Sequence, residues 1–348
     1  MKHPPYRLLA DWLASLLGPP SPDTRLTLVD GGAARGLPPH WEGVRPYLRV
    51  IGFEPDERSF NKLIRAAAPS FRYLPVALGR TKGVVTFYLT KKRSKSSVFK
   101  PDPLFFSKFP GAERLEIVRE EEMLLDTLDH QLRAAGASGV DFIKLDIQGG
   151  ELAALRGGAK TLSGPVFGIE VEVEFTPVYR NQPLFADVDT FLRPYGFELF
   201  DLRPYYWKRK IGLDLGNPKG QLIYADALYL RNAGHFAALL GQDADQTSPA
   251  AAAVKAIAIC LLYGYHDYAL EVADQCRAFF DQKEIEALVR SITSSAPAPM
   301  TGKWSRLPGS RTLAKILSYT SRLLEKPRSA REWRLVGQLG NINEFNHA

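Results

Sequence analysis

Leu26-Thr27-Leu28-Val29-Asp30-Gly31-Gly32-Ala33-Ala34-Arg35-Gly36 runs a short strand-forming stretch into a glycine-rich turn. In a parallel sheet such a turn lies at the carboxyl end of the strand, where a nucleotide cofactor sits. Alone, it equally describes an Asp-Gly turn that binds nothing. Working outward, Val50-Ile51-Gly52-Phe53 is a second strand, ending in Glu54-Pro55-Asp56. A third rim motif, Asp141-Phe142-Ile143-Lys144-Leu145-Asp146-Ile147-Gln148-Gly149-Gly150-Glu151-Leu152, ends a strand in an acidic, glycine-containing turn and passes into a helix from Gly150 to Leu155. Further strands are expected at Arg72 to Val76, Val84 to Leu89, Val166 to Phe175, Gly196 to Phe200 and Gln221 to Leu230, with a helix at Leu184 to Leu192. Short β-branched runs alternating with longer mixed stretches predict an α/β fold on a parallel sheet.

The rim motifs also select a cofactor. A dinucleotide fingerprint needs glycine where Ala33 stands, because the backbone must approach a pyrophosphate, and Asp30 would set negative charge beside that anion. The loop therefore disfavours a nicotinamide dehydrogenase and suits S-adenosylmethionine, whose sulfonium and ammonium are cationic. Glu54 stands roughly 20 residues beyond the loop, where an acidic side chain accepts hydrogen bonds from both ribose hydroxyls. Pro55 stiffens the turn presenting it.

From Asn232 the β-branched runs stop and Ala, Leu and Tyr recur at helical spacing. Helices are expected at Ala250 to Cys260, Tyr268 to Phe280 and Ile285 to Ile292, with Gly264 to Asp267 as a tight helix-to-helix turn and Ser294 to Pro299 as a linker. The resulting division is residues 1–23 as N-terminal helix and linker, 24–232 as the cofactor-binding domain, and 233–348 as a helical extension with a basic tail.

With 348 residues, 45% hydrophobic and 24% charged, the chain can bury a full core, and disordered and fibrous classes are excluded. Its net charge of +7 is modest, so nucleic acid is not an expected partner. Much of that excess sits beyond Met300, where nine Lys or Arg face three Glu. Cys260 and Cys276 make no disulfide framework or zinc pattern, which fits a reducing cytoplasm. The apolar patch from Leu8 to Leu17, broken by Asp11, is too short to span a bilayer.

Taken together, Val29 to Ala33, Gly52 to Pro55, Val76-Ala77-Leu78-Gly79 and Asp141 to Leu152 resemble the FkbM-type methyltransferases, which use S-adenosylmethionine on a Rossmann-like seven-stranded sheet. Glu170-Val171-Glu172-Val173-Glu174-Phe175-Thr176-Pro177-Val178-Tyr179, with Gln182 to Phe185 and Phe191, is similar to a subset of that family. The resemblance covers about residues 24 to 232. It implies that Asp30, Gly31, Gly32, Ala33 and Gly36 hold the methionine moiety, Glu54 and Pro55 the ribose, and Val76 and Ala77 the adenine, with Asp146 facing the methyl group. The family usually has Val where Gly31 stands, Asn at Ala34, Glu at Gln148 and Ala at Gly150, and Gln148 cannot act as a base.

Methyl transfer is an in-line displacement in which positioning dominates, helped by a base when the acceptor is a hydroxyl. Asp146 is the first candidate base. Glu170 and Glu172, which with Glu174 alternate along one strand and so share a face, are the next. Three such carboxylates also suit a divalent cation or a solvated strand face; no metal is expected. Lys91 to Ser97 reads as a solvated loop or an acceptor-side lid, His40, His130, His235 and His266 as structural, and Tyr205 to Lys210 as a platform for sugar rings, an interface, or a buried aromatic corner. The resemblance points to O-methylation of a sugar hydroxyl in a glycan or glycolipid. O-methylation of a polyketide-type or other small metabolite, and a cofactor-binding scaffold without catalysis, are the alternatives. Peripheral contact of the basic tail with an anionic membrane surface and a homo-oligomer through the helical region complete the expected partners.

Overall fold

The computed structural model describes residues 7–137, 139–214, 220–242 and 248–295, and the backbone of the short strand pair Glu332–Trp333 and Asn341–Ile342. Most of the expected linker and basic tail lies outside the described residues. In chain order the other strands are β1 (Leu26–Gly31), β2 (Leu48–Phe53), β3 (Phe71–Leu74), β4 (Ala77–Leu78), β5 (Gly83–Thr90), β6 (Ile117–Asp126), β7 (Phe142–Leu145), β8 (Gly168–Glu174), β9 (Phe197–Trp207) and β10 (Gln221–Arg231). A seven-stranded sheet has the order β3-β2-β1-β7-β8-β10-β9, with β10 antiparallel to both its neighbours and the remaining pairs parallel. This is the expected Rossmann-like arrangement.

Two differences from the sequence reading concern the segment between β3 and β7. The strand expected at Arg72 to Val76 ends at Leu74, and Ala77–Leu78 leaves the main sheet to pair with β6 in a small sheet of order β4-β6-β5. β6 was not foreseen, because Glu120-Glu121-Glu122 interrupts any apolar alternation. Its mostly exposed and half-buried residues need little of one.

The helices are α1 (Arg7–Leu17), α2 (Glu57–Ala66), α3 (Pro103–Phe106), α4 (Leu128–Ala134), α5 (Glu151–Gly157), α6 (Ala159–Ser163), α7 (Phe185–Leu192), α8 (Ala233–Gln242), α9 (Pro249–Tyr263), α10 (His266–Gln275) and α11 (Gln282–Ser295). Period-two alternation sends Val29, Ile143, Ile169 and Val171 to one face of the main sheet, against Leu128, Leu155, Leu162 and Leu192 of α4 to α7. Leu28, Phe142, Leu228 and Leu230 go to the other face. They meet α1, a 3-10 helix over Pro39–Tyr47, and α8 to α11. α9 is the centre of this second layer, buried continuously from Ala253 to Cys260, as a helix apolar all round requires. It packs against α1, α8 and α10.

The extension is therefore half of a core. Its start at Ala233 coincides with the change from strand to helix, yet the apolar cluster runs through the boundary from Phe142, Phe167 and Leu230 to Phe236, Ile257 and Tyr268. Polar ties reinforce the join. Trp12 Nε1 donates to Ser291 Oγ at 3.0 Å, linking α1 to α11. Buried Lys255 of α9 places its Nζ 3.8 Å from Asp141 Oδ2, which also accepts from the Thr27 backbone N–H at 2.6 Å. Cys260 and Cys276 are free, buried thiols within these helices.

A chain ending at Asn232 would leave Leu28, Phe142, Phe167 and Leu230 in water, at about 1.5–3 kcal/mol for each large apolar side chain. It is expected to be insoluble or to melt without a cooperative transition, as read by expression yield and circular dichroism against the full chain.

Candidate active site

On the second face the helical cover stops partway up the sheet, and above it a cleft of about 550 Å³ opens over the carboxyl ends of the parallel strands. Its floor follows from strand register. Asp30 of β1 pairs with Lys144 of β7, and Lys144 with Glu170 of β8, giving one row of alternating charge. The next row carries Glu172, Asp226 and Arg203 on β8, β10 and β9, and the one beyond it Glu174, Tyr224 and Tyr205. From Glu54 at the end of β2 to Arg203 on β9 is five strand spacings, roughly 24 Å. That length accommodates two ligands end to end.

The β1–β2 half is built from backbone and one carboxylate. Gly32 has φ of +79°, and a Cβ added there would lie 2.0 Å from the Asp146 carbonyl oxygen, so only glycine allows the two turns to touch. Its N–H donates to Phe53 O at 3.0 Å, joining the turn to β2. Gly32, Ala34, Arg35, Gly36, Glu54 and Pro55 line the cleft. Glu54 is buried and accepts from the Asp56 N–H at 2.8 Å. Burial pushes its pKa up to about 7 against the pull of backbone N–H groups. Arg93, from the loop after β5, reaches across to Asp56 at 2.8 Å, and Ser94, Lys95 and Ser96 follow it along the wall. The loop expected at Lys91 to Ser97 is thus part of the cleft.

Five of the expected cofactor residues lie elsewhere. Asp30 is beneath the floor, bonded to Lys144 Nζ at 3.0 Å, and Lys144 takes its place on the wall. Burial opposes the Lys144 charge, but Asp30, Asp146 and Glu170 outweigh it and its pKa is raised. Gly31 and Ala33 support the turn from within. Val76 packs against the core of the first face and Ala77 is buried in β4, so neither lines the cleft. The apolar wall on that side comes from Phe87 and Leu89 of β5, with Leu145 and Ile147.

Asp146, Glu170 and Glu172, the three candidate bases, do come together along the middle of the cleft. Gln148 organises two of them. Its amide N–H groups donate to Asp146 Oδ1 at 2.7 Å and Glu172 Oε1 at 2.9 Å, and its oxygen accepts from Tyr179 Oη at 3.2 Å. To reach both it adopts a left-handed backbone, φ +58°, a strained choice for a non-glycine residue; Ser97 Oγ steadies it by donating to its carbonyl at 2.6 Å. Burial, then the Asp146 charge, raise the Glu172 pKa well above the carboxylate range, and burial brings Glu174 up to about 7. Among the described residues no group of three or more His, Cys, Asp or Glu side chains is arranged to hold a metal ion.

The far half is aromatic and charged. Tyr205 and Tyr224 stack with ring centres 4.5 Å apart, and Arg203 Nε donates to Asp226 at 2.8 Å beside them. The expected platform at Tyr205 to Lys210 divides along the length of β9. Tyr205 faces the cleft, whereas Trp207 is buried against Phe105, Phe106 and Phe109. His40, expected to be structural, lines the cleft too; burial, then Arg203 and Lys144, lower its pKa to about 4, so its imidazole is neutral at pH 7. His130 pairs with Asp126 at 2.7 Å and His266 with the Gly264 carbonyl at 3.2 Å. Lys144 was within reach of sequence reading, two residues before Asp146 on the same strand face. Arg203, Tyr224 and Asp226 were not, since only the β8–β10–β9 register brings them here.

Residues 30–199 match the family model described as the methyltransferase FkbM domain. Among solved structures the chain is similar to the methyltransferase FkbM of Methylobacillus flagellatus KT, with 14% identity over 65% of this chain and 58% of that one and a TM-score of 0.35. The chain thus spans 58% of that protein's length. It is also similar to a TehB-like SAM-dependent methyltransferase of Corynebacterium glutamicum, with 13% identity over 64% and 88% of the two chains and a TM-score of 0.30. A third likeness is to the 1,6-didemethyltoxoflavin-N1-methyltransferase of Burkholderia thailandensis, with 14% identity over 66% and 80% and a TM-score of 0.28, whose structure holds 1,6-didemethyltoxoflavin and S-adenosylhomocysteine. No curated protein matches the chain.

The raised pKa of Glu54 makes ligand binding there depend on pH. A ligand hydroxyl donates to a carboxylate, so any hydroxyl-bearing ligand held by Glu54 prefers the deprotonated form and must displace a proton below pH 7. S-adenosylhomocysteine affinity, measured by calorimetry, is expected to fall about tenfold per pH unit below 7 and to level off above 8. Glu54→Gln should flatten that dependence.

Proposed function

We propose that this chain, which carries a methyltransferase FkbM domain over residues 30–199, transfers the methyl group of S-adenosylmethionine to a hydroxyl of a sugar in a glycan or glycolipid. The observation that supports this most is the single cleft with two unlike halves, meeting at Asp146, Glu170 and Glu172. S-adenosylmethionine supplies a methyl group on a positively charged sulfur. The β1–β2 half fits it. Gly32 lets the turn after β1 close on the Asp146 backbone, Glu54 is a buried carboxylate suited to paired hydroxyls, and Phe87 and Leu89 offer an apolar wall for a planar base.

The chain's own residues do three things in this reading. Glu54 and the Gly32 to Gly36 backbone fix one ligand, and the Arg93–Asp56 ion pair closes the wall beside it. Glu170, the Arg203–Asp226 pair and the Tyr205 ring orient the other, whose hydroxyl must approach in line with the bond that breaks. Asp146 or Glu172 takes the hydroxyl proton. Burial and the Asp146 charge raise the affinity of Glu172 for protons, which suits it to accept one. A wall of paired charges around a tyrosine suits a hydroxyl-rich sugar, which can satisfy those groups, better than an apolar metabolite, which would leave them without water.

No helix among the described residues is long and apolar enough to cross a membrane. The free, buried thiols of Cys260 and Cys276 support a reducing compartment, and we place the reaction in the cytoplasm on that ground.

Two variants separate binding from chemistry. Glu54→Ala is expected to weaken S-adenosylhomocysteine binding by roughly ten- to hundredfold, from the loss of about 1.5–3 kcal/mol of charge-assisted hydrogen bonding. Asp146→Asn should bind nearly as wild type but lose about 10²- to 10⁴-fold in turnover if Asp146 is the base. Calorimetry reads the first, and transfer of labelled methyl from S-adenosylmethionine into a host cell-envelope glycan extract the second. Full turnover of the Asn variant would pass the proton to Glu172.

A further inference from the structure

α9 ends at Tyr263, where Gly264, with φ of +88°, stops the helix in a left-handed cap. Tyr263 thus stands at the level where the helical cover gives way to the cleft. Its ring stacks on Phe142 of β7, with centres 5.6 Å apart at 16°, and meets Trp41 edge-on at 6.2 Å. Phenylalanine would fill that space equally well. The hydroxyl does something else: it donates to Glu170 Oε2 at 2.7 Å, while His40 Nε2 lies 3.3 Å from the Tyr263 oxygen and 4.0 Å from Glu170 Oε2.

Glu170 has competing attractions. Lys144 of β7 and Arg203 of β9 both act on it, and the carboxylates of Asp30 and Asp226 repel it. A flexible glutamate among such charges would settle on whichever cation was nearer. The Tyr263 hydroxyl, carried on a ring clamped between Phe142 and Trp41, gives it one fixed partner instead.

We propose that Tyr263 is a positioning residue for methyl transfer, holding Glu170 turned to the acceptor half of the cleft so that Glu170 grips the acceptor. The C-terminal helices, beyond the matched domain at 30–199, thereby supply part of the active site. This rests on the methyl-transfer reading above.

The test is a double-mutant cycle of Tyr263→Phe and Glu170→Gln in the full chain. Label transfer from S-adenosylmethionine to the glycan extract is measured at saturating donor, alongside S-adenosylhomocysteine affinity and melting temperature. Tyr263→Phe keeps the stacked ring and is expected to bind S-adenosylhomocysteine within about twofold of wild type while transferring label about tenfold more slowly, the worth of one hydrogen bond to a charged group. In the Glu170→Gln background the same change should cost nothing further. Wild-type transfer by Tyr263→Phe, losses that multiply in the double variant, or a fall in cofactor affinity as large as the fall in rate would each overturn the proposal. If wild type binds S-adenosylhomocysteine but labels nothing, the methyl-transfer reading fails and takes this inference with it.

Discussion

The Lys144 ammonium, 3.0 Å from the Asp30 carboxylate in the middle of a parallel sheet, sets the level at which this molecule changes character. A carboxylate at 1% exposure on a central strand would cost several kcal/mol without a partner. With Lys144 beside it and Glu170 next in the row, the sheet carries alternating charge across three strands. One residue pair below, the same face presents Leu28 and Phe142 and is sealed by helices. Above, it is too polar to be covered and remains open to ligands. The cleft is the part of a two-layer core that charge prevents from closing.

Gln148 solves a related problem one row up. Asp146 and Glu172 approach each other closely enough that one raises the pKa of the other, and a third carboxylate between them would add repulsion. An amide supplies two donors and no charge. The substitution that removes a base from the usual family motif therefore lets the two remaining carboxylates share a site, at the cost of a left-handed backbone at position 148.

What the sequence made legible was local. The glycine turns, the acidic strand ends and the change to helical spacing after Asn232 each depend on residues near one another in the chain, and the α/β class followed from the alternation of short strand-forming runs with longer mixed stretches. What stayed hidden depended on register or on partners far away. Val76 and Ala77 sit close after a strand, and nothing nearby tells that Ala77 turns off to pair with Leu125 and that Phe87 and Leu89 take the cleft wall instead. Tyr205 and Trp207 share a strand face, and only the distant Phe105, Phe106 and Phe109, which cover Trp207, leave Tyr205 to line the cleft. The helices after Ala233 gave their type but not their role as cover, because an apolar helix does not name the surface it covers.

α9 touches the sheet through polar groups at its middle and at its C-terminal end, with Lys255 against Asp141 at the foot of β7 and Tyr263 against Glu170 higher up on β8. Eight residues of α-helix separate the two contacts, a rise of roughly 12 Å, matched to the strands beneath. The helix acts as a gauge rod whose length and phase are both fixed. One residue inserted between them would turn Tyr263 by about 100° away from the cleft and raise it by about 1.5 Å. Changes of length in this chain are therefore tolerable in the connections around α9 and excluded inside it, so this stretch keeps its register for the same reason that a reading frame does.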